Sequence, residues 1–171
     1  MRIKLVKPAP EFERSYIEYV AEWDKIGEII VPYASIPNGR SFSEMLTNWA
    51  EDETEKAYIK GSVPTSLYFL TENNLRILGT LHCRHELNEY FLNFRGHIGY
   101  GVRPSERKKG YASLILKMAL DIYRERNIGK VLLTCDKTNV VSAKIITSHG
   151  GILENETSEP NRITQRYWIK L

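Results

Sequence analysis

The stretch from Gly96 to Cys135 constrains this chain more than any other, because its hydrophobic period changes twice within it. Gly96-His97-Ile98-Gly99-Tyr100-Gly101-Val102 reads as a strand, and Pro104 closes it. Tyr111, Leu114, Ile115, Met118 and Ile122 then stand at i, i+3, i+4, i+7 and i+11, one stripe of a long helix that Asn127 and Gly129 end. Val131 to Cys135 follows as a continuous apolar strand, buried on both faces. Strand, helix and strand in this order predict a right-handed crossover, and with it a parallel pair inside a mixed sheet.

The flanking sequence supplies the rest of that sheet and its cover. Met1 to Lys7 alternates as a short strand, and Phe12, Tyr16, Tyr19, Val20 and Trp23 recur at helical spacing until Gly27. Pro32, Pro37 and Asn38-Gly39 make a loop of Ile29 to Arg40, after which Ser43-Glu44 opens a second helix that buries Met45, Leu46 and Trp49. The acidic run Glu51-Asp52-Glu53-Thr54-Glu55 reads as a solvated helix end. Ser66 to Leu70 and Ile77 to His85 form a hairpin about Glu72-Asn73-Asn74, and the apolar segment Tyr90 to Phe94 leads into the Gly96 strand. The middle of the chain is thus an antiparallel sheet. Asp136 to Asn139 offers N-caps for a helix through Val140, Ile145 and Ile146 to His149, with Gly150-Gly151 at its end. Ile163 to Leu171 is a final strand, paired near Ile152.

At 171 residues, with 42% apolar and 26% charged side chains, the chain is expected to form one domain over residues 1–171 with a core of its own. No run is long and apolar enough for a membrane span, and the first residues lack the pattern of a signal peptide, so the expectation is a cytoplasmic protein without a membrane partner. Cys83 and Cys135 sit in apolar runs without metal-ligand spacing and read as reduced core residues, so no metal is expected. A net charge of +3 is too small to imply nucleic-acid binding. The four basic residues between Arg103 and Lys109 lack interleaved aromatics on which bases could stack.

The chemistry lies between the strand and the long helix. A helix N-terminus leaves backbone N–H groups unpaired and carries about half a positive charge, so it is an anion site. Here Arg107, Lys108 and Lys109 add charge in front of it, while Gly110 and Ala112 keep the backbone approachable. The spacing is that of neither a P-loop nor a dinucleotide-binding turn.

Arg107-Lys108-Lys109-Gly110-Tyr111-Ala112 resembles the R/Q-x-x-G-x-G/A signature with which the GNAT superfamily of acetyltransferases holds the pyrophosphate of acetyl-CoA. The order of elements is similar to that family along the whole chain, down to a helix opened by Asn139-Val140-Val141-Ser142. The resemblance implies an α/β fold with a mostly antiparallel sheet, a splayed parallel pair and about four flanking helices. It implies acetyl transfer from acetyl-CoA to an amine, on a small molecule or a peptide, by direct attack in a ternary complex. Arg107, Lys108, Lys109, Gly110, Tyr111, Ala112 and Ser113 would then hold the diphosphate. Backbone groups of Tyr100, Gly101 and Val102 would pair with pantetheine, and Asn139 and Ser142 would contact the cofactor from the other side. Family habit also allows a homodimer through the sheet edge near Ile163 to Leu171.

An alkylammonium with a pKa near 10.4 must lose a proton to attack, and a thiolate leaving group with a pKa near 8.5 benefits from gaining one. Family members often place a tyrosine for that donation seven residues after the asparagine that opens the fourth helix; here the position is Ile146. That departure leaves two readings, an enzyme whose acid stands elsewhere and a GNAT-fold module that binds acetyl-CoA without turnover. Candidates for proton transfer are His97, whose ordinary pKa suits a base, and Tyr111 as a donor. His85, Glu86 and Glu89 are further candidates on the acceptor side, and His149 reads as a favourable charge at a helix C-terminus. Tyr33, Arg40, Phe42 and Trp49 lie where the family builds its acceptor site.

Overall fold

The computed structural model describes residues 2–73 and 75–171. Strand β1 (Ile3–Val6) is followed by helix α1 (Glu13–Ile26), which Gly27 ends in the left-handed conformation, φ 68°. Helix α2 (Phe42–Asp52) starts one residue earlier than the Ser43-Glu44 opening suggests. Ser41 is its N-cap, and Ser41 and Glu44 form a reciprocal capping box. A short α3 (Lys56–Ile59) leads to β2 (Thr65–Glu72) and β3 (Arg76–Arg84). Of the hairpin turn Glu72-Asn73-Asn74, Asn74 lies outside the described residues.

Tyr90 to Phe94 forms a short helix, α4 (Glu89–Phe94), because Asn88 caps it and accepts the Phe91 N–H at 2.9 Å. Then come β4 (Ile98–Val102), the long α5 (Tyr111–Glu125), β5 (Lys130–Asp136), α6 (Val140–Ser148), β6 (Ile152–Glu159) and β7 (Arg162–Lys170). The acidic run after α2 is held by salt bridges from Lys56 and Lys60 to Glu51 and from Lys60 to Asp52.

The strands form two sheets, β1-β2-β3-β4 and β5-β7-β6, each antiparallel throughout. The splaying therefore goes further than expected, and among the described residues no parallel pair makes the sheet a mixed one. Where a parallel ladder was anticipated between β4 and β5, the described residues carry one isolated bridge, Gly96 to Leu133. Strand β7 lies between β5 and β6, so the edge predicted near Ile163 to Leu171 is an interior strand. It pairs on both sides, with Thr164, Arg166, Tyr167 and Ile169 buried, and the free edge falls to the polar β6.

Two apolar clusters sandwich the first sheet. Leu70, Leu78, Leu81, Cys83 and Ile98 pack on α5 and on Leu133, Cys135 and Ile146, while Leu67, Phe69 and Ile77 pack on α1 and α2. The stripe of α5 is that of its sequence, with Ile115, Leu116, Ala119, Leu120 and Tyr123 innermost. No helix among the described residues is long and apolar enough to cross a membrane.

Candidate functional site

The site begins where β4 leaves β5. The His97 N–H donates to Leu132 O at 2.7 Å, and Gly96, φ +67°, comes so close that an added Cβ would strike the Leu132 carbonyl. Beyond this joint the outer edge of β4 has no ladder partner among the described residues. Its groups can be assigned from register. Arg84 N–H donates to His97 O and Arg103 N–H donates to Leu78 O, both at 2.8 Å, so His97 O and Arg103 N–H face β3. With side alternation along the strand, Gly99 and Gly101 also turn their backbone groups to β3, and Ile98, Tyr100 and Val102 turn theirs to the open wedge. Of the three residues assigned to pantetheine, Tyr100 and Val102 offer their amides and carbonyls there. Gly101 has a different task.

That task is a close approach. A Cβ on Gly101 would overlap the Val31 carbonyl oxygen and lie 2.7 Å from its carbon, and one on Gly99 would lie 3.2 Å from Pro32 Cβ. The loop between α1 and α2 rests directly on this face of β4. It is pinned by the Tyr16 hydroxyl donating to Ser35 O at 2.7 Å, Ser35 Oγ donating to Thr80 Oγ1 at 3.1 Å and Trp49 Nε1 donating to Ala34 O at 2.9 Å. Phe42 and Trp49 are buried with Tyr16 and Phe69 in an aromatic cluster, so they support the loop from below. Tyr33 is exposed.

At the mouth of α5, Lys108 has φ 63° and Gly110 φ 84°, and Gly110 is the N-cap without a capping side chain. Two left-handed residues ahead of a helix start form a concavity of backbone N–H groups suited to an anion. Its cations are partly engaged. Arg107 forms a two-pronged pair with Glu28, at 3.0 and 2.6 Å, and its guanidinium lies 4.9 Å from the Trp23 ring centroid. The Arg107 guanidinium holds the Glu28 carboxyl below the usual carboxylate range. Lys109 Nζ lies 2.8 Å from Glu106, which also takes Arg76 at 2.7 Å. Lys108 has no ion pair among the described residues. Arg103 is buried and bonded to Glu22 at 2.6 Å, so the basic patch is smaller than its sequence suggests. Tyr111 and Ala112 begin the helix half-buried, and Ser113 Oγ lies 3.4 Å from His149 Nε2.

Across the wedge, Asn139 caps α6, its Oδ1 accepting from the Ser142 N–H at 3.1 Å. Ser142 Oγ lies 3.4 Å from the Tyr100 hydroxyl. Ile146 is buried in the core beneath.

The histidines divide sharply. His97 is buried, its Nδ1 accepts the Leu132 N–H at 2.9 Å, and its ring meets Tyr123 and Trp168 edge-on. Burial, and then the Arg84 charge, push its pKa down to about 4. The ring braces the joint of β4 and β5 in a fixed tautomer, with its accepting nitrogen already used. His85 is bonded to Ser66 and Glu86 to Tyr58, both beyond the end of β3. His149 Nδ1 lies 2.8 Å from Ile145 O, at the C-terminus of α6 as its sequence suggests.

A residue not singled out by its sequence stands beneath the α1–α2 loop. His82 stands two residues from Thr80, whose hydroxyl meets Tyr19 of α1 and Ser35 of the loop, and it pairs in register with Gly99 beneath Pro32. Its side chain therefore shares the face that the loop covers. Burial, and then the Arg84 charge, lower its pKa, so the ring is neutral at pH 7. The signal was the alternation of polar Thr80, His82 and Arg84 with apolar Leu81 and Cys83. Polar groups repeating on one face of an inner strand indicate a cleft rather than a core.

The acetyltransferase (GNAT) family profile matches residues 23–150. The chain belongs to this family. A search of curated protein sequences finds no match. Among solved structures, the ribosomal-protein-S5-alanine acetyltransferase of Vibrio fischeri superposes with a TM-score of 0.71 at 16% identity, covering 98% of this chain and 91% of that one. Mutant forms of the spermidine/spermine N-acetyltransferase SpeG of Vibrio cholerae give 0.68 at 15% identity, covering 98% and 93%. A putative acetyltransferase of Acinetobacter baylyi gives 0.64 at 12% identity, covering 99% and 93%. At such identities the likeness is one of fold. The GNAT assignment supports acetyl transfer as the general activity of the protein.

Proposed function

We propose that this GNAT protein is an N-acetyltransferase that takes acetyl from acetyl-CoA and passes it directly to an amine while both substrates are bound. The observation that carries this reading is the open edge of β4. Three residues, Ile98, Tyr100 and Val102, turn their backbone groups to the wedge immediately ahead of the nest at Lys108 and Gly110. An elongated amide chain ending in a diphosphate matches that pairing of an extended edge with an anion seat.

Acetyl-CoA supplies an acetyl thioester. The protein's part is to hold it along β4, to present a backbone N–H from Tyr100 or Val102 to the developing oxyanion, and to admit the amine from the α1–α2 side. There His82, kept neutral at pH 7 because burial and the Arg84 charge push its pKa down to about 3, can accept a hydrogen bond from the incoming amine. In this reading His97 acts as a brace, and Tyr111 belongs to the phosphate seat.

For the acceptor, two solved neighbours are named for spermidine or spermine and for a ribosomal-protein alanine. The exposed large apolar side chains of the covering loop are Ile29, Val31 and Tyr33, exposed Asn38 and Arg40 follow them, and its one carboxylate, Glu28, is engaged by Arg107. A rim of apolar side chains with a cation at Arg40 favours an amine on an apolar or peptide framework over a polycation.

Calorimetric titration with acetyl-CoA, with dephospho-CoA and ATP as controls, tests the donor, and a panel of amines tests turnover. Saturable binding that prefers acetyl-CoA is expected, and its absence in folded protein would remove the reading. The second reading, a module that binds acetyl-CoA without turnover, is favoured by Ile146 alone, and turnover of any amine in the panel would exclude it.

A further inference from the structure

Breaking a thioester by amine attack requires the departing sulfur to leave with an electron pair, and a nearby donor lowers that barrier. Ile146 cannot supply a proton. The hydroxyl that does reach this region comes from the opposite side of the wedge. Tyr100 turns its backbone to the open edge, and its side chain, on the α5 face with Leu81, crosses to α6. Its hydroxyl lies 3.4 Å from Ser142 Oγ. Thus β4 and α6 meet at one phenol, which packs on the buried cluster that holds Cys135 of β5. Ser142 and Ile146 are one helical turn apart on the same side of α6, so this phenol stands one turn along from the missing donor.

We propose that Tyr100 is the proton donor to the departing thiolate, an inference that rests on the acetyl-CoA reading of the wedge. In the step, the amine nitrogen bonds to the carbonyl carbon, the carbon–sulfur bond breaks, and sulfur keeps the pair and takes the Tyr100 proton. The amine proton passes on the other face to water, where His82 accepts a hydrogen bond from the amine, and the phenolate recovers a proton from water by way of Ser142.

Three features fit the role. The separation of 3.4 Å is long for an O–H···O bond, so the hydroxyl is loosely held and can turn to an incoming group. Burial raises the phenol's pKa, which keeps the proton in place until sulfur becomes basic. His82 and Tyr100 project from opposite faces of the sheet at adjacent register positions, His82 to Gly99 and Leu81 to Tyr100, so acceptance and donation do not compete for one site.

The test measures thiol release from acetyl-CoA by the wild type, Tyr100→Phe and Ser142→Ala, with spermidine and an alanine-initiated peptide as acceptors and with water alone. Binding of CoA to each variant is measured in parallel by calorimetry. Expected is a fall in kcat of at least about tenfold for Tyr100→Phe, CoA affinity within about threefold of wild type, and a smaller fall for Ser142→Ala. The alkaline limb of the kcat profile should disappear with the phenol. A Tyr100→Phe kcat within about twofold of wild type, or an unchanged alkaline limb, overturns the assignment while leaving the acetyltransferase reading intact. A wild type that binds no CoA and releases no thiol overturns both.

Discussion

At the scale of single residues, His97 and Gly101 carry the sharpest expectations. His97 is neutral in the fold with its pKa at about 4, against about 6.5 in an unfolded chain. The unfolded chain therefore binds the extra proton between these values, and stability is lost as pH falls from about 6.5 towards about 4. Two to three pKa units correspond to roughly 3 kcal/mol. Chemical denaturation of wild type and His97→Gln across that window should show a shallower pH slope in the variant. Gly101→Ala would drive a methyl group into the Val31 carbonyl, so a loss of about 1–3 kcal/mol is expected, together with a raised KM for the acceptor and a smaller change for the donor. Sequence could name Gly110 and Asn139 because their tasks, a left-handed turn and a cap, are local. It pointed to His97 as a base because a strand position carries no record of which neighbour consumes the ring nitrogen. It passed over His82 because the clue was a two-residue alternation inside an otherwise apolar strand.

At the scale of elements, α1 and the loop ahead of α5 are tied by Arg103 to Glu22 and Arg107 to Glu28. The second pair is exposed and contributes little to stability. It does, however, hold a cation that the proposed diphosphate seat would use. Glu28→Gln should leave the unfolding midpoint nearly unchanged and tighten CoA binding several-fold, most clearly at low salt, as read by titration calorimetry at two ionic strengths. Long periodic elements, α1 and α5 above all, were legible because burial imposes the period directly. Helix α4 was not, since six residues with four large apolar side chains have no period to read, and only the Asn88 cap decides their conformation. Strand order was equally hidden, because the placing of β7 between β5 and β6 depends on partners distant in sequence.

At the scale of the molecule, the backbones of the two sheets join, among the described residues, at one bridge and the His97 brace above a shared core, and the proposed ligand lies between them. A ligand that spans such a seam stabilises both halves. Acetyl-CoA at a hundred times its Kd should add about 2.7 kcal/mol to unfolding, and a single cooperative transition should move upward as a whole in calorimetry. Two separate transitions, only one of which shifts, would mean that the sheets do not share the ligand.

The alternation along β4 has a further consequence. Odd positions, Gly99 and Gly101, carry the covering loop, and even positions, Ile98, Tyr100 and Val102, face the open wedge. In the proposed reading one short strand thus works as a two-sided printed circuit, with each substrate wired to its own side. Grafting a foreign loop between α1 and α2 should reprogram the choice of amine with little interference to the donor, provided that both glycines stay bare.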